Sequence, residues 1–400
     1  MDLVSDRPYW LLKNGLLHSY PSLAADQTCD VVVIGAGITG ALIAHRLMEA
    51  GLSTIVLDRR DVGQGSTSAT TSLLQYEIDV HLTDLIEKVG VDHARRAYLL
   101  CLKSISKLGT WVEELDAPCC FEPKKSLYLA TRKEDVEALA LECEARRACG
   151  IEVEFIGLEQ VREQFSLPGF AALVSPSGAQ LDAYRLAHHL LQYNLRRGLR
   201  VYDRTEVTQF EHQPNSVLLH TDRGATISAR RLVLAAGYEA QSMLKEKIVK
   251  LKSTYAFVTP PLASLQGWIK DYLYWESTRP YCYMRSTEDQ RILFGGADDD
   301  FRNPTLRDAS LPQKTEKLLA RCGELLPQLE FEADYTWAGT FGETQDGLPY
   351  IGASPEFPHA YFALGFGGNG ITFSVIAAEM MPTLVKTGQH ADADVFRFGR

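Results

Sequence analysis

The first clear pattern in the chain is a run of β-branched residues that leads into a glycine-rich turn. Residues 29–34 (CDVVVI) form the run, residues 35–40 (GAGITG) form the turn, and residues 41–50 have the apolar spacing of an amphipathic helix. Gly51 ends this helix, and the apolar residues 53–57 predict a second strand. Because a strand, a helix and a parallel strand connect in a right-handed sense, the pattern predicts a βαβ unit.

The rest of the chain alternates helical and strand patterns, and then changes to strands rich in aromatic residues. Helical spacing predicts helices over 133–149 and 183–197, each followed by a glycine. Short apolar runs predict strands over 126–130, 199–202, 217–220 and 231–234. Between 251 and 297, strands rich in Tyr, Phe and Thr predict an antiparallel sheet. We therefore expect an α/β fold with a Rossmann-type domain and a second domain built on a mostly antiparallel sheet.

Composition and charge narrow the class of protein. The 400 residues are 46% hydrophobic and 23% charged, which predicts a large core and two connected domains. The formal charge of -10 and the scattered basic residues argue against nucleic-acid binding. The start lacks the basic region of a secretory signal, and no apolar run approaches the roughly 18 residues of a spanning helix. Eight cysteines without a CxxC pair or zinc spacing predict reduced thiols, no metal site and a cytoplasmic protein.

The glycine-rich turn carries the first chemical prediction. Its GxGxxG spacing follows a strand, opens a helix and is followed by an acidic residue, Asp58, at the end of the next strand. Gly35 permits the tight turn, Gly37 lets the backbone approach a pyrophosphate at the helix N-terminus, and Gly40 lets the helix pack on the strand. Asp58 is expected to bind ribose hydroxyls. The fingerprint predicts a dinucleotide but does not separate FAD from NAD.

Four further stretches point to a family. They are 62–71 (VGQGSTSATT), 205–207 (TEV) with 232–237 (LVLAAG), 283–285 (YMR) with 292–296 (ILFGG), and 344–352 (TQDGLPYIG). With the glycine turn, and in this order, they resemble the D-amino-acid-oxidase-like (DAO) superfamily of FAD enzymes, which includes glycine, sarcosine and γ-glutamylputrescine oxidases. The start of the chain also resembles the flavin half of Rieske-fused members, although no Rieske ligand motif occurs in the sequence.

The resemblance implies FAD as the cofactor and assigns it a binding set. Val207 would contact the adenine through its backbone, Gly237 would lie beside the ADP portion, and Asp346 would lie near the flavin. Because segments 66–72 and 365–370 contain no Cys or His, noncovalent FAD is expected. The predicted cofactor-binding residues are Gly35, Ala36, Gly37, Ile38, Thr39, Gly40, Asp58, Arg59, Gly65, Ser66, Thr67, Thr70, Thr71, Val207, Ala236, Gly237, Asp346, Gly367, Gly368, Asn369, Gly370, Ile371 and Thr372.

The last glycine-rich loop is predicted to face the flavin ring. Residues 364–372 (LGFGGNGIT) run into an apolar helix over 371–385, whose first N–H groups have no partner within the helix. The positive end of that helix would stabilise the negative charge of reduced flavin. A plain turn with packing glycines is the alternative. Sarcosine-oxidase-like members have a lysine, which binds the substrate carboxylate, where this chain has Thr372.

Five residues are candidates for contact with the substrate. Because Thr372 stands in place of the family lysine, Arg285 is the candidate for binding an anionic substrate group, since guanidinium binds carboxylate with two hydrogen bonds. Tyr255, Tyr281 and Tyr283 are candidate pocket walls, and Asn369 lies in the loop facing the flavin. The alternatives are a solvated strand arginine for Arg285 and simple sheet packing for the tyrosines. No histidine is assigned a role.

The predicted domains and reaction follow from these assignments. The FAD-binding domain is expected over 26–105, 175–245 and 335–390, the substrate domain over 106–174 and 246–334, and an N-terminal extension over 1–25. The expected reaction passes a hydride from a carbon bearing an amine, in a small amine or amino acid, to flavin N5, giving an imine that hydrolyses. Oxygen or another acceptor would reoxidise the flavin, and an oligomer is compatible with the sequence. Oxidation of a 2-hydroxy acid or polyol, and a flavin-binding subunit of an electron-transfer complex, are the alternatives.

Overall fold

Two β-sheets with packed helices make up the part of the chain that the computed structural model describes, residues 2–5, 7–263, 265, 267–330 and 332–400. The strands are β1 (Gln27–Ile34), β2 (Thr54–Leu57), β3 (Leu73–Gln75), β4 (Glu122–Ala130), β5 (Glu154–Gly157), β6 (Ala171–Gln180), β7 (Arg200–Tyr202), β8 (Val207–His212), β9 (Val217–Thr221), β10 (Thr226–Leu234), β11 (Lys250–Val258), β12 (Tyr272–Glu276), β13 (Tyr283–Ser286), β14 (Ile292–Asp300), β15 (Tyr335–Glu343), β16 (Tyr350–Ala353) and β17 (Ala360–Leu364). The helices are α1 (Tyr9–Asn14), α2 (Ile38–Glu49), α3 (Ser66–Ala69), α4 (Leu82–Val89), α5 (Val91–Glu114), α6 (Asp135–Ala148), α7 (Leu158–Phe165), α8 (Ala183–Leu195), α9 (Trp268–Asp271), α10 (Pro304–Leu325), α11 (Gly370–Thr387) and α12 (Ala393–Phe396), with a 3-10 turn at Gly237–Met243.

The first sheet contains the predicted βαβ unit. Its strands lie in the order β16-β17-β10-β1-β2-β7, and the antiparallel hairpin β8-β9 continues from β10. Strand β1 pairs in parallel with β2 and β10, so that the carboxyl ends of all three meet at one edge. The βαβ prediction is confirmed. Helix α2 ends at Glu49 because Gly51, with φ +76°, adopts the left-handed conformation that stops a helix.

Alternation along β1 explains why the first sheet is buried on both faces. Val31 and Val33 pack against helices α2, α8 and α11, whereas Val32 packs with Ile55 and Leu57 beneath the β8-β9 hairpin. Successive side chains of a strand point to opposite faces, so a continuous apolar run predicts a strand covered on both sides. Each fully buried side chain of this kind contributes about 1.5 to 3 kcal/mol of hydrophobic stabilisation.

The second sheet is mostly antiparallel, as predicted. Its order is β15-β11-β14-β13-β12-β4-β6-β3, with β5 on β6, and β12-β4 is its parallel pair among the described strands. Helix α10 covers one face through Leu318 and Cys322. Strands β3 and β15 belong to this sheet, although the predicted ranges 26–105 and 335–390 included them in the FAD-binding domain. The domain boundaries stay a prediction.

The first part of the predicted N-terminal extension packs onto the second sheet. Val4 forms a β-bridge with Gly339 of β15, and the Ser5 N–H donates to the Ala338 carbonyl at 3.0 Å. Tyr9 and Trp10 of α1 are fully buried. Residues near the start of the chain therefore form part of the core.

None of the described helices is long and apolar enough to cross a bilayer.

Candidate active site

A cavity of about 470 Å³ is lined by residues of both sheets. At one end stand Ile34 and Leu57, the last residues of β1 and β2, and Ala235, which follows β10. At the other end stand Asp298 of β14 and Tyr281, which precedes β13 of the second sheet. In open parallel sheets, ligands bind outside the carboxyl ends of the strands. The cavity therefore joins the predicted dinucleotide turn to the predicted substrate domain.

The glycine turn at the end of β1 leaves no room for side chains. Gly35 has φ +108°, and its N–H donates to the Leu57 carbonyl at 2.8 Å. A Cβ atom on Gly35 would collide with the carbonyl group of Ala235, and one on Gly40 would collide with the carbonyl oxygen of Gly35. These two glycines are required by backbone packing alone, which agrees with the roles predicted for them.

Gly37, the middle glycine of the turn, faces the hydroxyl of Thr67, a residue that only the family resemblance had assigned to the cofactor site. A Cβ atom on Gly37 would lie 2.8 Å from Thr67 Oγ1, and the Ile38 N–H donates to the same oxygen at 2.9 Å. Helix α3 therefore places the Thr67 side chain at the N-terminus of α2. Anions bind favourably at such a helix start. The open backbone at Gly37 and the hydroxyl beside it fit a pyrophosphate.

Asp58 stands where a ribose would be recognised. Its Oδ2 accepts the Ala36 N–H at 2.8 Å and its Oδ1 accepts the Arg60 N–H at 2.9 Å. Burial raises the pKa of Asp58, and the two N–H donors oppose this. A carboxylate has about four acceptor positions, so further bonds to ribose hydroxyls remain available. Arg59 and Arg60 form ion pairs with Glu239 of the 3-10 turn at 2.5 and 2.7 Å.

The cavity brings together most of the predicted cofactor-binding residues. Those that line it are Gly35, Gly37, Ile38, Thr39, Asp58, Arg59, Gly65, Ser66, Thr67, Thr70, Thr71, Val207, Ala236, Gly237, Gly367, Gly368, Gly370 and Ile371. Ala36 and Gly40 belong to the turn but do not line the cavity; the Ala36 N–H donates to Asp58, and Gly40 packs against the Gly35 carbonyl. The individual contacts with a cofactor stay predictions.

Three successive carbonyls at the C-terminal end of α3 each accept a hydrogen bond from a large side chain elsewhere in the chain. Trp337 Nε1 donates to Ala69 O at 2.8 Å, Trp10 Nε1 donates to Thr70 O at 2.6 Å, and Arg285 Nε donates to Thr71 O at 2.7 Å. We call Ala69, Thr70 and Thr71 the carbonyl triplet. All three triplet residues line the cavity, so these bonds position the segment predicted to lie beside the flavin ring.

The position of Arg285 corrects the role predicted for it. Its side chain is buried, its Nη2 also donates to the Leu181 carbonyl at 3.3 Å, and its guanidinium lies 5.3 Å from the ring centre of Trp10. Burial lowers its pKa to about 10. Arg285 does not line the cavity, because its donors point to backbone carbonyls behind the carbonyl triplet. It is not placed to bind an anionic substrate group.

The glycine-rich loop before α11 forms another wall of the cavity. Gly365 and Gly367 have φ values of +79° and +55°, which favour glycine. The Gly368 N–H donates to Asp79 Oδ2 at 2.9 Å. Helix α11 begins at Gly370, one residue before the predicted start. The loop and the helix start thus face the cavity as predicted.

Two predicted residues of this loop turn away from the cavity. Asn369 Nδ2 donates to the carbonyls of Gln75 and Glu77 at 3.1 and 2.8 Å, and Thr372 Oγ1 donates to Gln75 O at 3.1 Å. Both side chains are buried and neither lines the cavity. The catalytic role predicted for Asn369 and the flavin contact predicted for Thr372 are corrected accordingly. These side chains tie the start of α11 to the chain at β3.

Of the three tyrosines predicted to wall the substrate pocket, Tyr281 and Tyr283 line the cavity. Tyr283 lines the cavity with its hydroxyl 3.5 Å from Thr254 Oγ1, and the Tyr281 hydroxyl donates to Asp79 Oδ1 at 2.8 Å. Tyr255 borders the cavity, but its ring belongs to the core under α10, 5.2 Å from Lys314 Nζ. Because neighbours in a strand point to opposite faces, Thr254 takes the wall position assigned to Tyr255.

Asp346 also lies away from the cavity. Its Oδ2 accepts a bond from Arg400 Nε at 2.7 Å, and its Oδ1 accepts the Leu348 N–H at 3.1 Å. The Arg400 guanidinium contributes to lowering the pKa of this carboxyl. The predicted position near the flavin is corrected, because Asp346 shapes the turn before β16 and fastens the end of the chain to it.

Asp298, whose carboxyl lines the cavity, is not among the residues predicted from the sequence. It is one of the two residues of a β-bulge in β14, and its Oδ1 is buried with no hydrogen-bond partner among the described residues. Burial, the largest influence, raises its pKa to about 7. The pair Gly295-Gly296 was the available signal for a bulge. The run of three aspartates at 298–300 concealed it, because such runs are usually solvated.

The cavity offers a carboxyl but no histidine among its described lining residues. Within the described ranges, no three His, Cys, Asp or Glu side chains are grouped to hold a metal ion. All eight cysteines are described, and each is a free thiol. The glycine turn, the Thr67 hydroxyl and Asp58 fit the ADP half of FAD, and the carbonyl triplet and the loop before α11 fit the ring half.

Comparisons with known proteins agree with this geometry. The sequence model of the DAO family, described as FAD dependent oxidoreductase, matches residues 30–382. The chain is 25% identical over 380 residues to γ-glutamylputrescine oxidoreductase of Escherichia coli, covering 92% of this chain and 86% of that one. It is 25% identical over 398 residues to a Bacillus subtilis protein named as a Rieske 2Fe-2S iron-sulfur protein, covering 97% and 74%.

The fold matches solved structures as well. The crystal structure of glycine oxidase from Geobacillus kaustophilus superposes with a TM-score of 0.79 and 24% identity, covering 94% of this chain and 99% of that one. The two-sheet architecture is therefore that of a known fold. The predicted cofactor, FAD, is confirmed by the family match over most of the chain. This protein belongs to the DAO family of FAD-dependent oxidoreductases.

Proposed function

We propose that this enzyme oxidises the C–N bond of a small amine, and that water hydrolyses the resulting imine. The observation that carries the proposal is the shared cavity, which joins the dinucleotide turn at Gly35 to the polar wall around Tyr283 and Asp298. A cofactor and a substrate that occupy its two ends would meet beside the carbonyl triplet. The names of the relatives, an oxidoreductase of γ-glutamylputrescine and an oxidase of glycine, support amine chemistry.

The residues of the chain supply binding, orientation and electrostatics in this reaction. Bound FAD supplies the hydride acceptor, flavin N5. The segment around Thr70 and Thr71 and the loop around Gly367 would hold the ring from two sides, and helix α11 directs its positive end toward the cavity. Tyr281 and Tyr283 would bound the substrate and exclude water. Oxygen or another acceptor would reoxidise the flavin.

Noncovalent binding of FAD is the expected mode. Neither the carbonyl triplet nor the loop at 365–370 carries a Cys or His that could bond to the ring. Acid precipitation of the yellow protein should therefore release FAD into the supernatant. Yellow colour in the washed pellet would contradict this expectation.

The reaction class is tested by anaerobic bleaching of the flavin absorbance with n-butylamine, putrescine, glycine, sarcosine, lactate and glycerol. Bleaching by an amine or amino acid supports the proposal. Bleaching by lactate or glycerol alone would support hydroxyl oxidation instead. A protein that retains FAD but is bleached by none of these compounds would support a flavin-binding subunit. Oxygen consumption, compared with reduction of a dye, then distinguishes an oxidase from a dehydrogenase.

A further inference from the structure

The charge of the cavity differs between its two ends. Arg59 and Arg60 are the cationic residues among the described lining, and both pair with Glu239 at the dinucleotide end. At the substrate end the lining includes the carboxyl of Asp298. A second carboxyl, that of Asp79, accepts a hydrogen bond from the Gly368 N–H of the glycine-rich loop. No described lining residue at that end is a lysine, arginine or histidine. A substrate carboxylate would find no cationic partner among the described lining there, whereas an ammonium group would find the Asp298 carboxyl.

A β-bulge directs Asp298 into the cavity. Ser253 pairs with Asp299 and Tyr255 pairs with Gly296, so that Ala297 and Asp298 together oppose Thr254. Ala297 has φ +55°, a conformation that non-glycine residues rarely adopt. Bulges and strained residues occur together at functional sites, where a bulge changes the direction of a side chain.

The bulge is held in place from behind. Lys314 of α10 donates to the Ala297 carbonyl at 2.6 Å, and it also forms an ion pair with Asp299 at 2.6 Å. The strained backbone at Ala297 is therefore fixed by a buried lysine on the side away from the cavity. The carboxyl of Asp298 is held in one place rather than carried on a free loop.

The Asp298 carboxyl has capacity to bind a donor. Its Oδ1 is buried and lacks a hydrogen-bond partner among the described residues, which is costly unless a ligand satisfies it. Burial raises its pKa to about 7, and a hydrogen bond from Thr254 opposes the rise. The other titratable or charged groups that interact with it are Asp79, Lys252, Arg279, Tyr283, Cys282, Tyr281 and Glu343.

We propose that Asp298 binds the ammonium group of a cationic alkylamine and takes its proton before the C–H bond breaks, an inference that rests on the proposed function. The proton moves from substrate nitrogen to the carboxylate, which leaves a neutral amine and a neutral carboxylic acid. The C–H electron pair then leaves as hydride to FAD, and the nitrogen lone pair forms the C=N bond. The preferred substrate is a primary or secondary amine without a carboxylate on the reacting carbon.

Binding is tested apart from turnover with tert-butylamine, which has no hydrogen on the carbon next to nitrogen and therefore cannot be oxidised. The holoenzyme is titrated with it at pH 8 while the visible flavin spectrum is recorded. In Asp298→Asn the apparent affinity should fall about tenfold or more, since a charge-assisted bond is lost. Asp300→Asn is the matched control, because Asp300 lies on the same strand, is exposed and pairs with Lys252 at 2.8 Å.

The proton transfer is tested by the rate of anaerobic flavin reduction with n-butylamine between pH 5.5 and 8.5. At low n-butylamine concentration, where the rate reports the free enzyme, it should rise with pH through about 7 as the Asp298 carboxyl ionises. In Asp298→Asn it should be about a hundredfold lower and lose this rise. Thr254→Val keeps the carboxyl but removes a hydrogen bond that lowers its pKa, so its profile should move to higher pH. A merely structural role for Asp298 would not predict that displacement.

The outcomes separate this inference from the proposed function. Bleaching by amines with Asp298→Asn indistinguishable from wild type would overturn the inference and keep the function. A tert-butylamine titration that leaves the wild-type spectrum unchanged would also overturn it. Binding that depends on Asp298, in a protein that no amine reduces, would overturn the function and keep the ammonium site. Flavin content and melting temperature of each variant show that it is folded.

Discussion

The two ends of the cavity are built in different ways. The dinucleotide end is built around one continuous stretch from Gly35 to Asp58, in which an added Cβ at Gly35, Gly37 or Gly40 would meet a backbone atom or a hydroxyl at close range. The substrate end joins Thr254, Tyr283 and Asp298 from three strands of another sheet. The first end depends on what the backbone can adopt, and the second on where side chains point. Substitutions at the two ends should therefore affect different properties: FAD retention at the first end, and substrate binding at the second.

The largest effect is expected at the dinucleotide end. Gly37→Val should abolish FAD retention, because the branched side chain would occupy the space between the α2 N-terminus and Thr67 Oγ1. FAD content per polypeptide after gel filtration measures this. Asp58→Ala should weaken FAD binding less, by about 1 to 3 kcal/mol. The control is Gly323→Val in α10, which has no neighbouring atom within 4 Å of the added Cβ. Normal FAD content in Gly37→Val would remove the turn from the site.

The next effect should appear as stability rather than substrate affinity. Arg285→Ala leaves the buried carbonyls of Thr71 and Leu181 without their donor, which should cost about 2 to 4 kcal/mol of unfolding free energy and loosen FAD. Urea unfolding and FAD release measure both. The affinity for tert-butylamine, corrected for FAD content, should stay unchanged.

The control for Arg285→Ala is Arg279→Ala, because Arg279 is exposed and its guanidinium packs over Tyr281 at 4.5 Å. Its unfolding free energy should change by less than about 1 kcal/mol. If Arg285→Ala instead raised KM for glycine at unchanged stability, the arginine would belong in the pocket after all.

The smallest expected effect is on stability and depends on pH. The pKa of Asp298, about 7 in the folded protein, lies above the value of roughly 3.9 expected when unfolded. The folded protein therefore holds a proton that the unfolded chain releases, so Asp298 lowers stability as pH rises through this interval. Asp298→Asn removes the penalty and should therefore be more stable than wild type at pH 8.5.

The measurement is the difference in melting temperature between Asp298→Asn and wild type at pH 5 and pH 8.5, which should grow with pH. Asp300→Asn serves as the control, because the pKa of Asp300 is lowered and its carboxyl is ionised at both values. A difference that stayed constant, or shrank as pH rose, would contradict an elevated pKa at Asp298 and weaken its assignment as proton acceptor.

Prediction from the sequence succeeded where short segments carry their own constraint. The βαβ unit, the apolar helix after residue 370 and the mostly antiparallel second sheet follow from periodicity and from glycine positions. The direction in which side chains point was harder to predict from the sequence. Arg285, Asn369 and Asp346 were placed in the site, yet each bonds to backbone or to a remote partner instead. Strand periodicity gives two faces but does not say which one meets a cavity.

The sequence by itself determined the dinucleotide turn, the family and the cofactor, because the glycine spacing reflects local requirements of backbone geometry and packing. The tertiary structure decided which polar groups face the substrate. One extra residue in β14 turns Asp298 into the cavity, while Arg285 is drawn behind the carbonyl triplet by the carbonyls of Thr71 and Leu181. Such choices depend on strand register and on contacts between residues far apart in the chain, and a single bulge reverses them.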